Sequence, residues 1–359
     1  MRKLASIQLI KDLKPIEGAD AIECATILGW EVVVKKGEFK VGDKCVYIEI
    51  DSIVPDKSMF EFLRDRKFRI RTIKLKKQIS QGIAFPVSIL KDFDKKFNEK
   101  NYAEGKDITD IMGIVKYDPQ LKEENDMKSP IKGTKNPIIK FMFKIPFLRG
   151  FAKSFLPKKE TWPNFITKTD EERIQTIPEV LNSGTTCYIT EKLDGQSATY
   201  FINKGKFGVC SRNIYLKTPT PSNYWNVAIN YNLERKMKAL KKNIYIQGEI
   251  LAPGVRGNKY GMSQPTFFIF TAVDINKNKF FTYEEMKTLA DTLGVNIVPY
   301  KGMVTLNGQT VEDFLVTADN KSAIGDCIRE GIVIRDTSTH RSRLSFKAIS
   351  RAFELKYKE

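Results

Sequence analysis

The feature that most constrains this chain is that its apolar residues come in short β-branched runs, each broken by turn-forming residues. From residue 1 to about 90 these runs read ASIQLI, EVVVKKGEF, KCVYIEID, RIRTIKLKKQ and GIAFPV, punctuated by Gly18, Gly37, Gly42 and Pro55. Runs of this kind bury one face and need partners, so five in succession predict a small closed barrel. From Trp162 onward strands and helices alternate. YITEKLDGQSATYFI reads as strand, turn and strand, and KFGVCSRN, NIYIQGEIL, FFIFTAVDI and EGIVIRD as further strands. KTDEERIQ, NVAINYNLERKMKALKK and TYEEMKTLADTLG fit helices. The expected class is α+β, and 359 residues are too many for one core, so two domains are predicted.

Composition narrows the chemistry. Sixty Lys and Arg against 43 Asp and Glu leave a formal charge of +17, which suits a polyanionic partner or a solvated lysine-rich surface equally. Cys24, Cys45, Cys187, Cys210 and Cys327 form no C-x-x-C pair, which argues against a zinc site or a disulfide framework and for a reducing, intracellular setting, cytoplasmic or nuclear. The N-terminal MRKLASIQLIKDLK breaks every apolar run with a charge, so no secretory signal is expected. No stretch reaches the ~20 apolar residues of a membrane span. His340 is the only histidine, so chemistry built on several imidazoles is excluded and catalysis must rest on lysine, carboxylates and bound metal.

Two basic stretches stand out. RDRKFRIRTIKLKK (Arg64 to Lys77) places Arg69, Arg71, Lys74 and Lys76 along one expected hairpin, as a phosphate track or as a charged edge that blocks sheet association. Residues 95–160 change character, ending in IIKFMFKIPFLRGFAKSF, where Pro146, Lys140, Lys144, Arg149 and Lys153 interrupt the apolar text. A segment docked on one domain is the expectation, rather than a helix lying on a membrane.

The chemistry centres on Glu191-Lys192-Leu193-Asp194-Gly195, between two predicted strands. Downstream follow Ser211-Arg212-Asn213, Ile246-Gln247-Gly248-Glu249-Ile250, Phe268-Ile269-Phe270, Glu330-Gly331-Ile332-Val333-Ile334-Arg335 and Ser345-Phe346-Lys347. A charge inside an apolar strand pattern is costly unless it is used, which singles out Lys192, Glu249 and Glu330. Phe268 and Phe270 lie two apart on a strand and share a face, as a stacking platform or as core.

This order of elements resembles the covalent nucleotidyltransferase superfamily of polynucleotide ligases and mRNA capping enzymes. The fragment GWEVVVKKGEFKVGDKCVYIEIDSIVP resembles OB-type modules that bind tRNA or other nucleic acids. TWPNFITKTDEERIQ (Thr161 to Gln175) is similar to the segment that opens the catalytic domain of RNA ligases. Together they make the chain similar to the Naegleria/Deinococcus type of ATP-dependent RNA ligase, over residues 1 to 90 and 161 to 355. The division implied is an OB-like module at 1–100, a basic connecting segment at 101–160 and an adenylyltransferase domain at 161–359.

The resemblance implies that Lys192 takes AMP from ATP, passes it to an RNA 5′-phosphate, and that a 3′-hydroxyl then displaces AMP, in RNA repair. Attack requires an uncharged amine. Asp194, Glu249 and Glu330 would gather around it and hold Mg²⁺ or Mn²⁺, largely through water, with Lys347 completing the catalytic set. Glu191, Arg212, Phe268 or Phe270, Lys168 and Arg173 are the further expected nucleotide or RNA-end contacts. Arg173 as a cap of its own helix and Arg212 as a surface pair are the structural readings. The last element often carries two lysines two apart, whereas here Ser345 precedes Lys347, leaving Arg343 as a substitute. The partner is RNA or a nicked RNA-containing duplex, and a monomer is expected. A GTP-using capping enzyme, a DNA ligase and an inactive RNA-binding protein are the alternatives; the first usually places its OB domain after the catalytic domain.

Overall fold

The computed structural model describes residues 3–117, 162–216, 219 and 221–357. Ten strands build the N-terminal half: β1 (Ala5–Pro15), β2 (Ile22–Ile27), β3 (Trp30–Lys35), β4 (Lys44–Ile48), β5 (Ser52–Ile53), β6 (Arg69–Ile70), β7 (Ile73–Leu75), β8 (Gln78–Ser80), β9 (Ile83–Pro86) and β10 (Val115–Lys116). Five of them form a sheet in the order β3-β2-β1-β4-β9. In β3 the alternation predicted from EVVVKK is realised, with Trp30, Val32 and Val34 buried and their neighbours partly exposed. The edges meet through the segment before β9, where the Gln81 N–H donates to the Glu31 carbonyl at 2.8 Å and the Val33 N–H to the Ser80 hydroxyl at 3.0 Å. The expected closed barrel is therefore a half-barrel, its seam held by scattered hydrogen bonds instead of a strand ladder.

RIRTIKLKKQ does not form one hairpin arm. It splits into β6, which joins β5 and β10, and a separate two-stranded ribbon β7–β8. The chain leaves the sheet where the Thr72 hydroxyl donates to Glu354 at 2.5 Å, a long-range contact that no local pattern announces. The core of this half runs past residue 100, since Tyr102, Ile108, Met112 and Ile114 pack in the same buried cluster as Ile7, Val46 and Phe60. The basic segment carrying Lys140, Lys144, Pro146, Arg149 and Lys153 lies outside the described residues.

The second half holds two sheets. One is ordered β11-β21-β20-β12-β19, from β11 (Glu172–Arg173), β12 (Thr186–Lys192), β19 (Tyr300–Thr305), β20 (Gly331–Asp336) and β21 (Ser345–Ile349). The other runs β14-β13-β15-β16-β17, from β13 (Gln196–Asn203), β14 (Lys206–Cys210), β15 (Ile244–Leu251), β16 (Thr266–Asp274) and β17 (Lys279–Phe280), with β18 (Asn296–Ile297) also on β16. All pairings are antiparallel except β11 with β21 and β18 with β16. Helices Asn223–Asn230, Leu233–Ala239 and Tyr283–Leu293 cover the second sheet, and Val311–Ala318 covers the first.

Helix Tyr283–Leu293 follows its text: Thr282 and Glu285 form a reciprocal capping box and Gly294 closes it in the left-handed region. The single helix expected over NVAINYNLERKMKALKK is two, broken at Asn232 with φ of 52°. KTDEERIQ forms no α-helix. It gives β11 and a short 3₁₀ turn, because Glu171 and Arg173 find ion-pair partners on distant elements and Glu172–Arg173 pair with β21.

The halves are joined by buried polar contacts. The Arg173 guanidinium donates to Glu354 at 2.7 Å and Asp51 at 3.3 Å and lies 5.5 Å from the centre of the Trp30 ring. Glu354, on the C-terminal helix Arg351–Tyr357, also accepts from Gln81 at 3.0 Å, and the Gly29 N–H donates to the Gln175 carbonyl at 2.9 Å. Among the described residues no helix is long and apolar enough to cross a membrane.

Candidate active site

A cavity of about 380 Å³ opens between the two sheets of the second half, with Asp51, Arg69, Lys116 and Tyr117 of the first half on its rim. Its floor is built by the turn from β12 to β13. Lys192 ends β12 and Asp194 follows two residues on, with buried Leu193 between them facing the core. Gly195 is required by close approach: a Cβ there would stand 2.3 Å from the Ile250 carbonyl. Its N–H donates to Glu249 at 2.9 Å, so the motif glycine also anchors a carboxylate.

Glu330 immediately precedes β20, whose ladder places Gly331 opposite Lys192. The Lys192 amine therefore donates to Glu330 at 2.6 Å, across 138 residues of chain. Lys192 is 26% exposed and Glu330 6%, so the amine sits at the cavity wall and not in bulk solvent. Burial pushes the Glu249 carboxyl up to about 7; Lys192 pulls it down, and Glu330 and Asp194 push the same way as burial. Asp194 is paired with Lys259 and, at 3.7 Å, with Arg256, while its N–H donates to the Tyr260 hydroxyl at 3.0 Å.

The basic end of the cavity is organised by two acids ahead of β11. Asp170 faces Lys347 at 3.7 Å, Arg212 at 3.6 Å and Lys116 of the first half. Burial raises its carboxyl, but Lys347, Lys116 and Arg212 together bring it down to about 2. Glu171 holds Arg335 at 2.6 Å, and it too lies near 2, burial being overcome by Arg335 and Lys347. Parallel pairing of β11 with β21 sets Arg173 opposite Lys347, which brings this acid pair beside the last motif. Arg335 is 2% exposed, and its Nε and Nη1 find no acceptor among the described residues.

The remaining expected residues divide. Phe270 lines the cavity with Val298 and Val333, the Arg335 guanidinium 5.7 Å from its ring centre, whereas Phe268 packs beneath with Leu193, Leu251 and Tyr260. The Glu191 carboxylate is taken by the Ser322 hydroxyl, the Ala323 N–H at 3.0 Å and Lys301 at 3.2 Å. The Arg173 side chain is engaged at the junction of the two halves. Lys168 donates to Asn213 at 3.4 Å and lies beside an adjoining depression with Arg343, whose guanidinium stacks 3.8 Å from the Phe280 ring centre.

Arg69 was expected in a phosphate track, but Lys259, Arg256, Asp170, Glu171, Arg335 and Lys116 were not picked out from the sequence. Arg335 was within reach: it interrupts the apolar run GIVIRD, the same signal that marked Glu249. The others sit in loops or at strand ends and carry no periodic signature.

Asp194, Glu249 and Glu330 line one cavity with the Lys192 amine, cations gather at its far end, and an N-terminal β-module precedes this fold. Comparisons give the family. An OB-fold domain model matches residues 4–87 and an RNA ligase model residues 185–349. Among solved structures, Naegleria gruberi RNA ligase with pyrophosphate is 30% identical with a TM-score of 0.80, covering 100% of this chain and 99% of that one. A lysine-to-methionine variant of the same enzyme with AMP and Mn is 32% identical with a TM-score of 0.80, over 99% of each chain. A lysine-to-alanine variant with ATP and Mn is 30% identical with the same TM-score and coverage. No curated protein matches the sequence. The chain belongs to the RNA ligase family.

Proposed function

We propose that this chain is an ATP-dependent RNA ligase that joins 3′-hydroxyl and 5′-phosphate ends, with Lys192 as the nucleophile. The observation that carries the reading is the Lys192 amine held 2.6 Å from Glu330 inside a cavity whose opposite end is basic. In the first step the Lys192 nitrogen bonds to the α-phosphorus of ATP, the bond to pyrophosphate breaks, and the amine gives up its proton. A 5′-phosphate oxygen of RNA then takes the adenylyl group from Lys192. Finally the 3′-hydroxyl attacks that 5′-phosphorus, the phosphodiester forms and AMP leaves.

The residues divide this work by charge. Lys347, Arg212 and Lys116, grouped on Asp170, together with the unspent donors of Arg335, offer the positive field that a triphosphate or an RNA 5′-phosphate needs. Phe270, Val298 and Val333 supply an apolar wall for the base. Among the described residues no three acidic, histidine or cysteine side chains stand close enough to wrap a cation directly. Asp194, Glu249 and Glu330 nevertheless face one cavity, with Glu249 raised by burial first and then by its acidic neighbours, so the donor set fits a hydrated Mg²⁺ or Mn²⁺ held chiefly through its waters. Such an ion supplies positive charge against the α-phosphate.

The RNA partner on this reading is a nicked or broken duplex in repair. Action as a monomer is part of this reading. Five free, buried cysteines support an intracellular setting. The test is incubation with ATP labelled at the α-phosphate: the parent chain gains a labelled adduct, Lys192→Ala gains none, and the label maps by mass spectrometry to Lys192. An adduct undiminished in Lys192→Ala would place the nucleophile elsewhere.

A further inference from the structure

The ribbon β7–β8 has no part in the cavity, yet it breaks a local rule in a telling way. Its register pairs Ile73 with Ser80, Lys74 with Ile79 and Leu75 with Gln78, leaving Lys76 and Lys77 as a two-residue turn. Both have positive φ, 47° and 68°, the pattern of a type I′ turn, where Asn-Gly is preferred because side chains are crowded there. The chain supplies its own contrast. The β13–β14 hairpin also turns through two residues of positive φ, but there the second is a glycine, in Lys204–Gly205.

Charge explains what geometry does not. Residues 66–77 hold seven basic side chains and no acidic one. Lys74, Lys76 and Lys77 are exposed, and among the described residues no acidic group pairs with them. The base of the ribbon is fixed, by Thr72 and Gln81 donating to buried Glu354 and by Gln78 donating to Glu31 at 3.2 Å. Arg69, four residues before β7, lines the cavity. From Arg69 to Lys76 the chain spans at most about 25 Å, roughly seven base pairs of duplex, so the lysine tip stands within about one helical turn of the cavity rim.

We propose that the Lys76–Lys77 turn is a nucleic-acid contact that grips the phosphate backbone of an RNA duplex beside the joining site. This rests on the ligase reading and adds to it the surface that holds the duplex flank. Two lysines kept in a conformation that disfavours them, on an anchored ribbon facing solvent, match a polyanion better than they match a tight turn.

The test replaces the turn with its preferred residues, in the double variant K76N/K77G of the full chain. Thermal stability is expected to hold or rise, and adduct formation with ATP and Mg²⁺ to stay unchanged. Affinity for a synthetic nicked RNA duplex should fall about ten-fold near 0.1 M salt, and the slope of log affinity against log salt should flatten by about two. The variant K76R/K77R keeps the charge and should bind like the parent. Unchanged affinity and slope in K76N/K77G would overturn the proposal, as would equal losses in both variants. Self-association of K76N/K77G with RNA binding intact would show instead a charged edge against sheet pairing, which also overturns it. Absence of any adduct in the parent chain would sink the ligase reading and leave this binding result to stand by itself.

Discussion

Two sites in this molecule set a basic side chain against a glutamate at nearly the same distance, 2.6 Å for Lys192 with Glu330 and 2.7 Å for Arg173 with Glu354. At the junction Glu354 collects three donors, Arg173, Thr72 and Gln81, and both members of the ion pair are 2% exposed. In the cavity the partly exposed Lys192 amine donates to Glu330, Asp194 is held by Lys259 and Arg256, and Glu249 is pushed up to about 7. A closed cluster fixes geometry; an open one that holds a carboxyl well above its ordinary range is arranged for a ligand that is yet to come.

The sharpest way to break this contrast is Glu354→Ala, which strands Arg173 without its closest partner. A loss of about 3–5 kcal/mol in denaturant unfolding is expected, with Glu354→Gln losing less because it still accepts hydrogen bonds. A loss under about 1 kcal/mol would show that the junction is not what holds the halves together. In the cavity, Glu249→Gln should leave the unfolding midpoint nearly unmoved and slow adduct formation by about 10²- to 10³-fold in single-turnover measurements.

Acid separates the two further. Glu171 lies near 2 in the fold against its ordinary 4.5, so its pairing with Arg335 stabilises fully above 4.5 and is lost as pH falls toward 2. Unfolding of the parent and Glu171→Gln should therefore differ most above pH 4.5 and converge toward pH 2; a constant gap across that range would count against the ion pair. The smallest expected effect is Phe270→Ala, raising the KM for ATP about ten-fold with kcat little changed, as loss of a stacking wall would do. Phe268→Ala, beneath it, should instead lower the melting temperature.

Much of the site was legible because its residues violate their surroundings. Lys192, Glu249 and Glu330 are charges at apolar strand positions, and their order along the chain carried the family. Of Arg173, Glu191 and Phe268, expected beside nucleotide or RNA, the first two line the cavity with polar groups engaged by Glu354 and Ser322, and the Phe268 ring is packed in the core. The helix read into KTDEERIQ failed for the same reason: its charges look like a solvated helical face until Arg335 and Glu354 arrive from more than 160 residues away.

The sequence by itself determined the strands and their buried faces and the capped helix at Tyr283–Leu293, since each depends on neighbours a few residues apart, and it singled out Lys192 as the expected nucleophile. Only the tertiary structure decided which carboxylate meets Lys192, that Asp170 gathers cations from both halves, and that Arg173 is a clasp. Ion-pair choice is set by where strand ends converge in space, and burial makes the chosen pair strong only after the fold has closed around it.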